Sequence, residues 1–184
     1  MAQKATIFKL ALAIADISRG YYRDHELTIA RHPSETDERM MVRVLAFALY
    51  ADDALTFGRG LSEDDEPDLS RRDLTGMIDH WIDVGLPDER DVRKACGRAK
   101  DVDVLAYGGR AVDLWWRDTG PRLERQDRLA IVEVPPDASR ALAQMVDHFM
   151  RLQVTIQDDH VLVANGTASV SVDLHRRKDR ARPQ

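Results

Sequence analysis

Two acidic segments contain the residues of this chain whose types and spacing suggest chemistry. Residues 64–69 read Asp-Asp-Glu-Pro-Asp-Leu, an acidic loop that ends in a Pro-Asp pair. Residues 77–85 read Met-Ile-Asp-His-Trp-Ile-Asp-Val-Gly, a stretch apolar enough for a buried strand, with Asp83 near its end. If Asp68 opens a strand that pairs with the strand ending at Val84, the carboxylates of Asp68 and Asp83 come together.

Such a pair of carboxylates is typical of a site for Mg²⁺ or Mn²⁺. Mg²⁺ is commonly held by one or two protein carboxylates, and water and substrate phosphate complete its octahedron. The bound metal lowers the pKa of its water and screens a phosphate, while a nearby lysine can stabilise the charge that develops during hydrolysis. The spacing therefore predicts a metal-dependent site that acts on phosphodiesters. A solvated loop beside a core strand is the alternative.

A third acid, Glu38, is predicted to come from a helix that follows Pro33. Ser34 is a good N-cap for this helix. Its apolar face is formed by residues at helical spacing, namely Val42, Leu45, Ala46 and Leu49. Extended back by one turn, this face reaches Glu38, and three residues earlier it reaches Glu35, which would aim acid at the rim of the sheet. The alternative is that both acids complement the positive end of the helix dipole.

The remaining segments alternate predicted strands and helices. Strands are predicted at residues 5–18, 25–31, 74–84, 102–107, 129–134, 152–156, 160–163 and 168–174, and a short strand or turn at residues 54–60. The first two strands are expected to pair in antiparallel register, and Asn165-Gly166 predicts a hairpin turn between the last two. One helix is predicted to begin at Ser34, and three others to cover residues 87–99, 112–123 and 137–150. The last of these predictions depends on the helical spacing of Leu142, Met145, Val146 and Phe149. This order predicts right-handed crossovers and at least one parallel strand pair. We therefore expect one compact domain of the α/β (α+β) class, residues 1–175, with a central mixed sheet flanked by helices. Residues 176–184 are predicted to be a basic, flexible tail.

Composition narrows the classes of protein to which the chain can belong. A length of 184 residues is typical of one domain, and the formal charge of −5 argues against a general nucleic-acid coat. Cys96 is the only cysteine, so neither an intrachain disulfide nor a cysteine-based zinc site can form. We find no targeting segment and no apolar run of the roughly 20 residues that cross a bilayer. The expected location is the cytoplasm.

Histidine suggests no further metal motif, because no two of the 6 histidines are four residues apart. His80, within the predicted central strand, is expected to be a core histidine with satisfied hydrogen bonds. The alternating charges at residues 100–103 are expected to face solvent.

Several longer motifs resemble a known family. They are Ala-Arg-His-Pro-Ser-Glu-Thr-Asp-Glu-Arg-Met-Met-Val-Arg (30–43), Asp-Asp-Glu-Pro-Asp-Leu (64–69), Lys-Ala-Cys-Gly-Arg-Ala (94–99), Tyr-Gly-Gly-Arg (107–110) and Leu-Trp-Trp (114–116). By these motifs the chain resembles the bacterial YaeQ family from Lys4 to about Leu174. Pro67-Asp68 followed by Asp83 also looks like the Pro-Asp … (Asp/Glu)-x-Lys signature of the restriction-endonuclease-like superfamily. The resemblance implies a restriction-endonuclease-like fold built around a variant of the nuclease motif, PD-(D/E)XK.

The resemblance also implies roles for individual residues. Asp68 and Asp83 match the two acids of the nuclease motif, and Glu38 matches the acid often found on the first core helix. The lysine does not match, because the position two after Asp83 is Gly85. Lys94, on the next helix, is the candidate for a migrated lysine. The apolar face of that helix contains Val92, Ala95, Cys96 and Ala99, which puts Lys94 on the polar side. This favours a surface lysine unless the polar face borders the cleft.

The function that the resemblance implies is Mg²⁺- or Mn²⁺-dependent hydrolysis of phosphodiester bonds in nucleic acid. In this interpretation Glu38, Asp68 and Asp83 bind the metal and Lys94 assists. The alternative is a non-catalytic module that keeps the nuclease fold and binds nucleic acid or a protein, which the missing lysine favours. No membrane partner is expected, and the sequence leaves the oligomeric state open.

Overall fold

Two mixed β-sheets and four helices make up the part of the chain that the structure describes. The structure is a computed structural model, and it describes residues 4–59 and 65–181. The strands are β1 (Thr6–Asp16), β2 (Tyr21–Arg31), β3 (Leu55–Phe57), β4 (Leu69–Arg72), β5 (Ile78–Val84), β6 (Ala99–Tyr107), β7 (Leu129–Val134), β8 (Phe149–Gln157), β9 (His160–Ala164), β10 (Ser169–Asp173) and β11 (His175–Lys178). The helices are α1 (Asp37–Leu49), α2 (Glu89–Arg98), α3 (Arg110–Leu123) and α4 (Pro136–Ala143). Residue 64 of the predicted acidic loop and residue 60 of the element predicted at residues 54–60 lie outside the described residues.

The first sheet has five strands in the order β10-β9-β8-β1-β2. β1 pairs with β2 in antiparallel register, which confirms the predicted pairing of the first two strands. On its other side β1 pairs with β8 in parallel. The predicted turn at Asn165-Gly166 is also confirmed, because it joins β9 and β10 as an antiparallel hairpin. Gly166 has a φ of +88°, a conformation that glycine adopts without strain.

The second sheet has six strands in the order β11-β7-β6-β5-β4-β3. Its centre consists of three parallel strands, β5, β6 and β7, which are connected through α2 and α3. β4 is antiparallel to β5 and carries the sheet on to β3. The carboxyl ends of β5, β6 and β7 therefore lie at one edge of the sheet, the edge at which open α/β sheets commonly bind ligands.

Two apolar cores lie on opposite faces of the six-stranded sheet. One core fills the space between the two sheets and includes α1 and α4. The other lies between the six-stranded sheet and α2 and α3. β6 contributes to both, because successive side chains of a strand point to opposite faces: Val104 packs in the second core and Leu105 in the first. The chain is thus one α+β domain built in layers.

The prediction of one central sheet was wrong, because the predicted strands divide between two sheets. The inner faces of both sheets bury apolar residues against α1 and α4, for example Leu10 and Leu12 of β1 and Ile82 of β5. A single sheet of eleven strands could not wrap these helices in this way, whereas two packed layers bury both sets of side chains.

The predicted helix over residues 137–150 was too long. α4 ends at Ala143, and Phe149 opens β8, where its side chain is 78% exposed. β8 alternates buried and exposed residues and pairs with β1 along most of its length. The prediction depended on the helical spacing of Leu142, Met145, Val146 and Phe149. In the structure, Phe149 instead pairs with β1 as part of β8.

The basic segment after Leu174 also differs from the predicted flexible tail. β11 pairs with β7 in antiparallel register, and Arg177 donates to the carboxylate of Glu133 at 2.6 Å. The sequence offered little sign of this strand, because its burial depends on ion pairs rather than on an apolar face. Among residues 4–59 and 65–181, none of the helices has both the length and the apolar character required to traverse a bilayer.

Gly58 permits the close approach of two segments just before Asp68. Its N–H donates to the carbonyl oxygen of Asp68 at 2.8 Å, and a Cβ at this position would overlap the carbonyl oxygen of Pro67. We expect Gly58→Ala to lower the free energy of unfolding by about 1–3 kcal/mol, the usual cost of overpacking. Chemical denaturation monitored by circular dichroism measures the change.

Gly97→Ala is the matched control for this substitution. Gly97 lies in α2, and a Cβ there would meet no atom within 4 Å. We expect it to raise the free energy of unfolding by about 0.5–1 kcal/mol, because alanine is the better helix former. Equal effects of the two substitutions would contradict the close approach at Gly58.

Candidate carboxylate site at the ends of β4 and β5

The β4–β5 strand pair places Asp68 opposite Asp83. Leu69 pairs with Ile82 in antiparallel register, so the next position along the ladder sets Asp68 across from Asp83. Side chains directly opposite each other in an antiparallel pair lie on the same face. The prediction that Asp68 precedes a strand paired with the one ending at Val84 is therefore confirmed.

Asp68 is held by hydrogen bonds to both carboxylate oxygens. The backbone N–H of Val84 donates to Oδ2 at 2.7 Å, and Nη2 of Arg39 donates to Oδ1 at 2.7 Å. The side chain of Asp68 is only 11% exposed, so these donors replace most of its hydration. They fix the carboxylate in one orientation beside Asp83.

The pKa of Asp83 is raised because its carboxyl is partly buried and lies near another acid. Burial and the negative charge of Asp68 raise the pKa of Asp83 to about 7. The indole N–H of Trp81, the backbone N–H of Asp68 and the charge of Arg39 act in the opposite direction. The contact with Trp81 is weak, since the buried Nε1 of Trp81 has no partner within hydrogen-bonding geometry. Near neutral pH, Asp83 therefore exchanges a proton readily.

Arg39 is itself positioned by a buried ion cluster. Nη1 of Arg39 donates to Oε1 of Glu35 at 3.0 Å. Glu35 also accepts from Nε and Nη2 of Arg43 at 2.7 and 2.6 Å, and both of these side chains are at most 1% exposed. Nη2 of Arg43 reaches the carbonyl oxygen of Ala30 in β2 at 2.8 Å. The cluster thus connects the five-stranded sheet, α1 and Asp68.

The start of α1 differs from the prediction by two residues. Thr36, rather than Ser34, is the N-cap, and its Oγ1 accepts from the N–H of Arg39 at 3.1 Å. Glu35 therefore precedes the helix, and its carboxylate is buried. Arg39 lies in the first turn of α1, at the same end of the molecule as the carboxyl ends of β5 and β6.

The structure does not bring Glu38 into a group with Asp68 and Asp83. Oε1 of Glu38 instead accepts from the hydroxyl of Ser139 in α4 at 2.6 Å. Within residues 4–59 and 65–181, no three His, Cys, Asp or Glu side chains are arranged to hold a metal ion. Of the three predicted acids, the two that lie opposite each other and interact electrostatically are Asp68 and Asp83.

Lys94 lies on the exposed face of α2 and pairs with Asp65. Its side chain is 43% exposed, and the ammonium lowers the pKa of the Asp65 carboxyl through a hydrogen bond and its charge. The cation that contacts Asp68 is instead Arg39. At the position of the motif lysine, Gly85 has a φ of +110° and ends β5.

Sequence reasoning missed the ion cluster behind the carboxylates. Glu35, Arg39 and Arg43 are spaced by four residues, which is the spacing of one helix face, and this pattern was the available signal. Glu35 was interpreted as an acid at the sheet rim or as a partner of the helix dipole. Its arginine partners are fixed by Asp68 and by Ala30 of β2, and the pattern around Glu35 does not indicate these contacts. His80 is a satisfied core histidine as expected, since its Nε2 bonds to Oδ2 of Asp103 at 2.5 Å. Asp103 is 3% exposed, so the expectation that it faces solvent was wrong.

Comparisons with known proteins all match the same family, over nearly the whole chain. A model of the family described as YaeQ protein matches residues 1–174. The "Uncharacterized protein YaeQ" of Salmonella typhi is 42% identical over 174 residues, which cover 95% of this chain and 96% of that protein. The same-named protein of Escherichia coli (strain K12) is 41% identical over the same shares.

Solved structures agree with the fold described above. The crystal structure of YaeQ protein from Xanthomonas axonopodis pv. citri matches with a TM-score of 0.93 and 49% identity, covering 97% of this chain and 99% of that chain. That of YaeQ protein from Pseudomonas syringae matches with a TM-score of 0.91 and 35% identity, covering 96% and 97%.

The raised pKa of Asp83 gives the stability a pH dependence of defined sign. Its pKa of about 7 in the folded protein lies above the ordinary value of 3.8, so the folded state binds the proton more tightly than the unfolded chain. We expect the free energy of unfolding to fall as the pH rises from about 4 to about 7. At 1.36 kcal/mol per pKa unit, the loss is up to about 4 kcal/mol. Denaturant titrations at about pH 5 and about pH 8 should show about 3 kcal/mol of this loss, because the rest occurs below pH 5.

Asp83→Asn is the reference for this pH dependence, because its side chain cannot titrate. Burial lowers the pKa of His80 to about 4, so the contribution of His80 has the opposite sign and is lost as the pH falls from 6.5 to about 4. That contribution is common to both proteins and cancels in their difference. A wild-type-minus-variant difference that is constant with pH would contradict the raised pKa of Asp83.

The buried ion cluster of Glu35, Arg39 and Arg43 is expected to stabilise the fold. We expect Glu35→Gln to lower the free energy of unfolding by about 3–5 kcal/mol, because Arg43 keeps its buried charge without a counterion. Asp53→Asn is the control: it removes an ion pair with Arg23 in which the side chains are 71% and 57% exposed. Its effect should stay within about 1 kcal/mol. A comparable effect of both variants in the same denaturation assay would contradict the role of the cluster.

Proposed function

This chain belongs to the YaeQ family, and from that premise we propose that it binds Mg²⁺ or Mn²⁺ at Asp68 and Asp83 and hydrolyses phosphodiester bonds of nucleic acid there. A restriction-endonuclease-like ancestry of the fold is part of the same proposal. The observation that carries it is the meeting of two carboxylates from different strands, one of which has a pKa near neutrality.

The carboxylate pair fits a hard divalent cation. One or two carboxylates suffice to anchor Mg²⁺, and each carboxylate oxygen has a lone pair beyond the one used by its N–H donor. Burial, and after it the negative charge of Asp68, favours the protonated form of Asp83, and a divalent cation would offset the repulsion between the two carboxylates. When bound, the metal supplies an acidified water and neutralises phosphate charge.

Arg39 supplies the positive charge that the motif lysine would provide, since Gly85 stands at the position of that lysine. Its guanidinium contacts Asp68 and is anchored by Glu35, so it remains at the site without needing a metal. A fixed cation beside the carboxylates favours a phosphate group that approaches them. Arg39 therefore takes, in this proposal, the part that the motif lysine plays in orienting and neutralising.

The exposed face of α2 supplies the proposed contact with neighbouring phosphates. Arg90, Arg93 and Lys94 line an open depression of about 430 Å³ together with Glu89. Cationic side chains of this kind position a nucleic acid through its backbone rather than through its bases. Lys94 thus contributes to binding at the surface, and nucleic acid is the proposed partner.

Calorimetric titration with Mn²⁺ tests the metal site. We expect wild-type protein to bind one ion, with an affinity that rises about tenfold per pH unit below about pH 7, because the proton of Asp83 must leave. Asp68→Asn and Asp83→Asn should each abolish binding, whereas Lys94→Met should leave it unchanged. Glu38→Gln shows whether that acid joins the site, and from its bond to Ser139 we expect less than about a threefold loss.

Asp53→Asn is the control for net charge in this titration, since it removes one exposed negative charge away from the pair. If neither wild-type protein nor Asp83→Asn takes up Mn²⁺ at about pH 8, the metal site does not exist.

Cleavage of labelled single- and double-stranded DNA and RNA tests the activity. We expect cleavage that requires Mg²⁺ or Mn²⁺, is stopped by a chelator and is lost in Asp68→Asn. Lys94→Met should raise the KM rather than lower kcat, because a surface phosphate contact contributes to binding. Metal-dependent binding of nucleic acid without cleavage would instead support the non-catalytic module.

A further inference from the structure

A cavity of about 620 Å³ lies at the opposite end of α1 from the carboxylate pair. Leu49 and Tyr50, at the carboxyl end of α1, form part of its wall. Ile156 of the five-stranded sheet and Val132 of the six-stranded sheet form further parts, so the cavity opens between the two sheets. Its volume is within the range of pockets that enclose small molecules. With 13 residues in α1, the two sites are about 20 Å apart.

The cavity carries a surplus of negative charge. Among the described residues that line it, the acids are Asp16, Asp103, Asp158, Asp159 and Asp179. The described cations are Arg19, Arg176 and Arg180. The carbonyl groups at the end of α1 add the negative end of the helix dipole. The surplus favours a positively charged occupant.

Two of the carboxylates are buried and firmly held, which distinguishes the cavity from an ordinary acidic surface. Asp16 is 2% exposed and accepts from Nε of Arg19 at 2.6 Å. Asp103 is 3% exposed and accepts from the hydroxyl of Tyr50 at 3.0 Å and from Nε2 of His80. Burial raises the pKa of Tyr50 to about 12, so its hydroxyl remains a donor. Asp103 is therefore a preformed, oriented acceptor.

Arg180 shows which chemical group suits Asp103. Its Nη2 donates to Oδ2 of Asp103, and its Nε donates to the carbonyl oxygen of Arg128 at 3.1 Å. Arg180 comes from the segment after β10, which lies beyond residues 1–174, the part that matches the family. The guanidinium of a chain segment thus occupies a position that a planar cation from outside could take.

We propose that this cavity binds a small organic cation, one that presents an amidinium, guanidinium or ammonium group to Asp103 and packs an apolar body between the sheets. Leu49, Val132 and Ile156 provide the apolar walls. Asp158, whose carboxylate accepts only a long 3.4 Å hydrogen bond from Ser18 among its described contacts, adds charge at the rim. An anion would have to displace a carboxylate from each arginine, whereas a cation has only to displace Arg180.

Three isosteric probes test the sign of the charge. Benzamidine is a planar cation on an apolar ring, benzamide is its neutral counterpart and benzoate is its anionic counterpart. We expect benzamidine to bind the full chain and to bind about tenfold or more tightly than the other two, because charged hydrogen bonds are the stronger ones. Amide chemical-shift changes in a ¹H–¹⁵N spectrum give affinities and should centre on Tyr50 and Val132.

Variants then distinguish benzamidine binding in the cavity from binding at other acidic sites on the protein. Arg180→Gln should tighten benzamidine binding about tenfold, because the internal competitor is gone. Asp103→Asn should abolish binding. Asp158→Asn should weaken it severalfold without unfolding the chain, because Asp158 has a φ of +53°, which asparagine tolerates. Asp83→Asn should leave binding unchanged, which makes this result independent of the proposed metal site.

Either of two results would overturn the inference. Preferential binding of benzoate, weakened by Arg180→Gln, would show that the cavity selects anions. Binding of none of the three probes at the cavity, in both wild-type protein and Arg180→Gln, would show that the cavity holds no ligand of this class.

Discussion

The buried carboxylate of Glu35 is the constraint on which the two sheets and the candidate site jointly depend. A charge removed from water is costly unless partners surround it, and Arg43 and Arg39 supply those partners. Satisfying these partners requires β2, through Ala30, and the residue just before β4, Asp68, to meet at the start of α1. The same cluster that aligns the layers therefore also delivers a cation to the acidic pair.

Local patterns in the sequence predicted much of this architecture. The pairing of the first two strands, the turn at Asn165-Gly166 and the placement of Asp68 opposite Asp83 follow from alternation, turn chemistry and strand register. The division into two sheets and the early end of α4 do not, because they depend on which distant strand β1 selects as its second partner. For the candidate site, the sequence predicted that Asp68 and Asp83 lie opposite each other, but neither the separate position of Glu38 nor the buried charges of Glu35, Arg39 and Arg43.

The charges were missed for a physical reason. Whether an acid such as Asp103 faces solvent or the interior depends on partners contributed by other elements, here Tyr50, His80 and Arg180. Nothing within residues 100–103 distinguishes the two outcomes. The spacing of apolar residues indicates which face of an element a residue occupies, but not which side chains of other elements pack against that face. Glu38 is a similar case, because its partner Ser139 is far along the chain and belongs to α4.

The attachment of Arg180 to the chain has a consequence for selectivity. A group tethered next to its acceptor competes at an effective concentration on the order of millimolar. A free cation of equal intrinsic affinity must therefore reach similar levels before it replaces the guanidinium. In the proposed cavity, a molecule with a charge but no apolar body would bind only at such concentrations, whereas one that also fills the apolar space between the sheets would bind at lower ones. By holding Arg180 near Asp103, the strand formed by residues 175–178 would set this threshold concentration, and it also extends the six-stranded sheet.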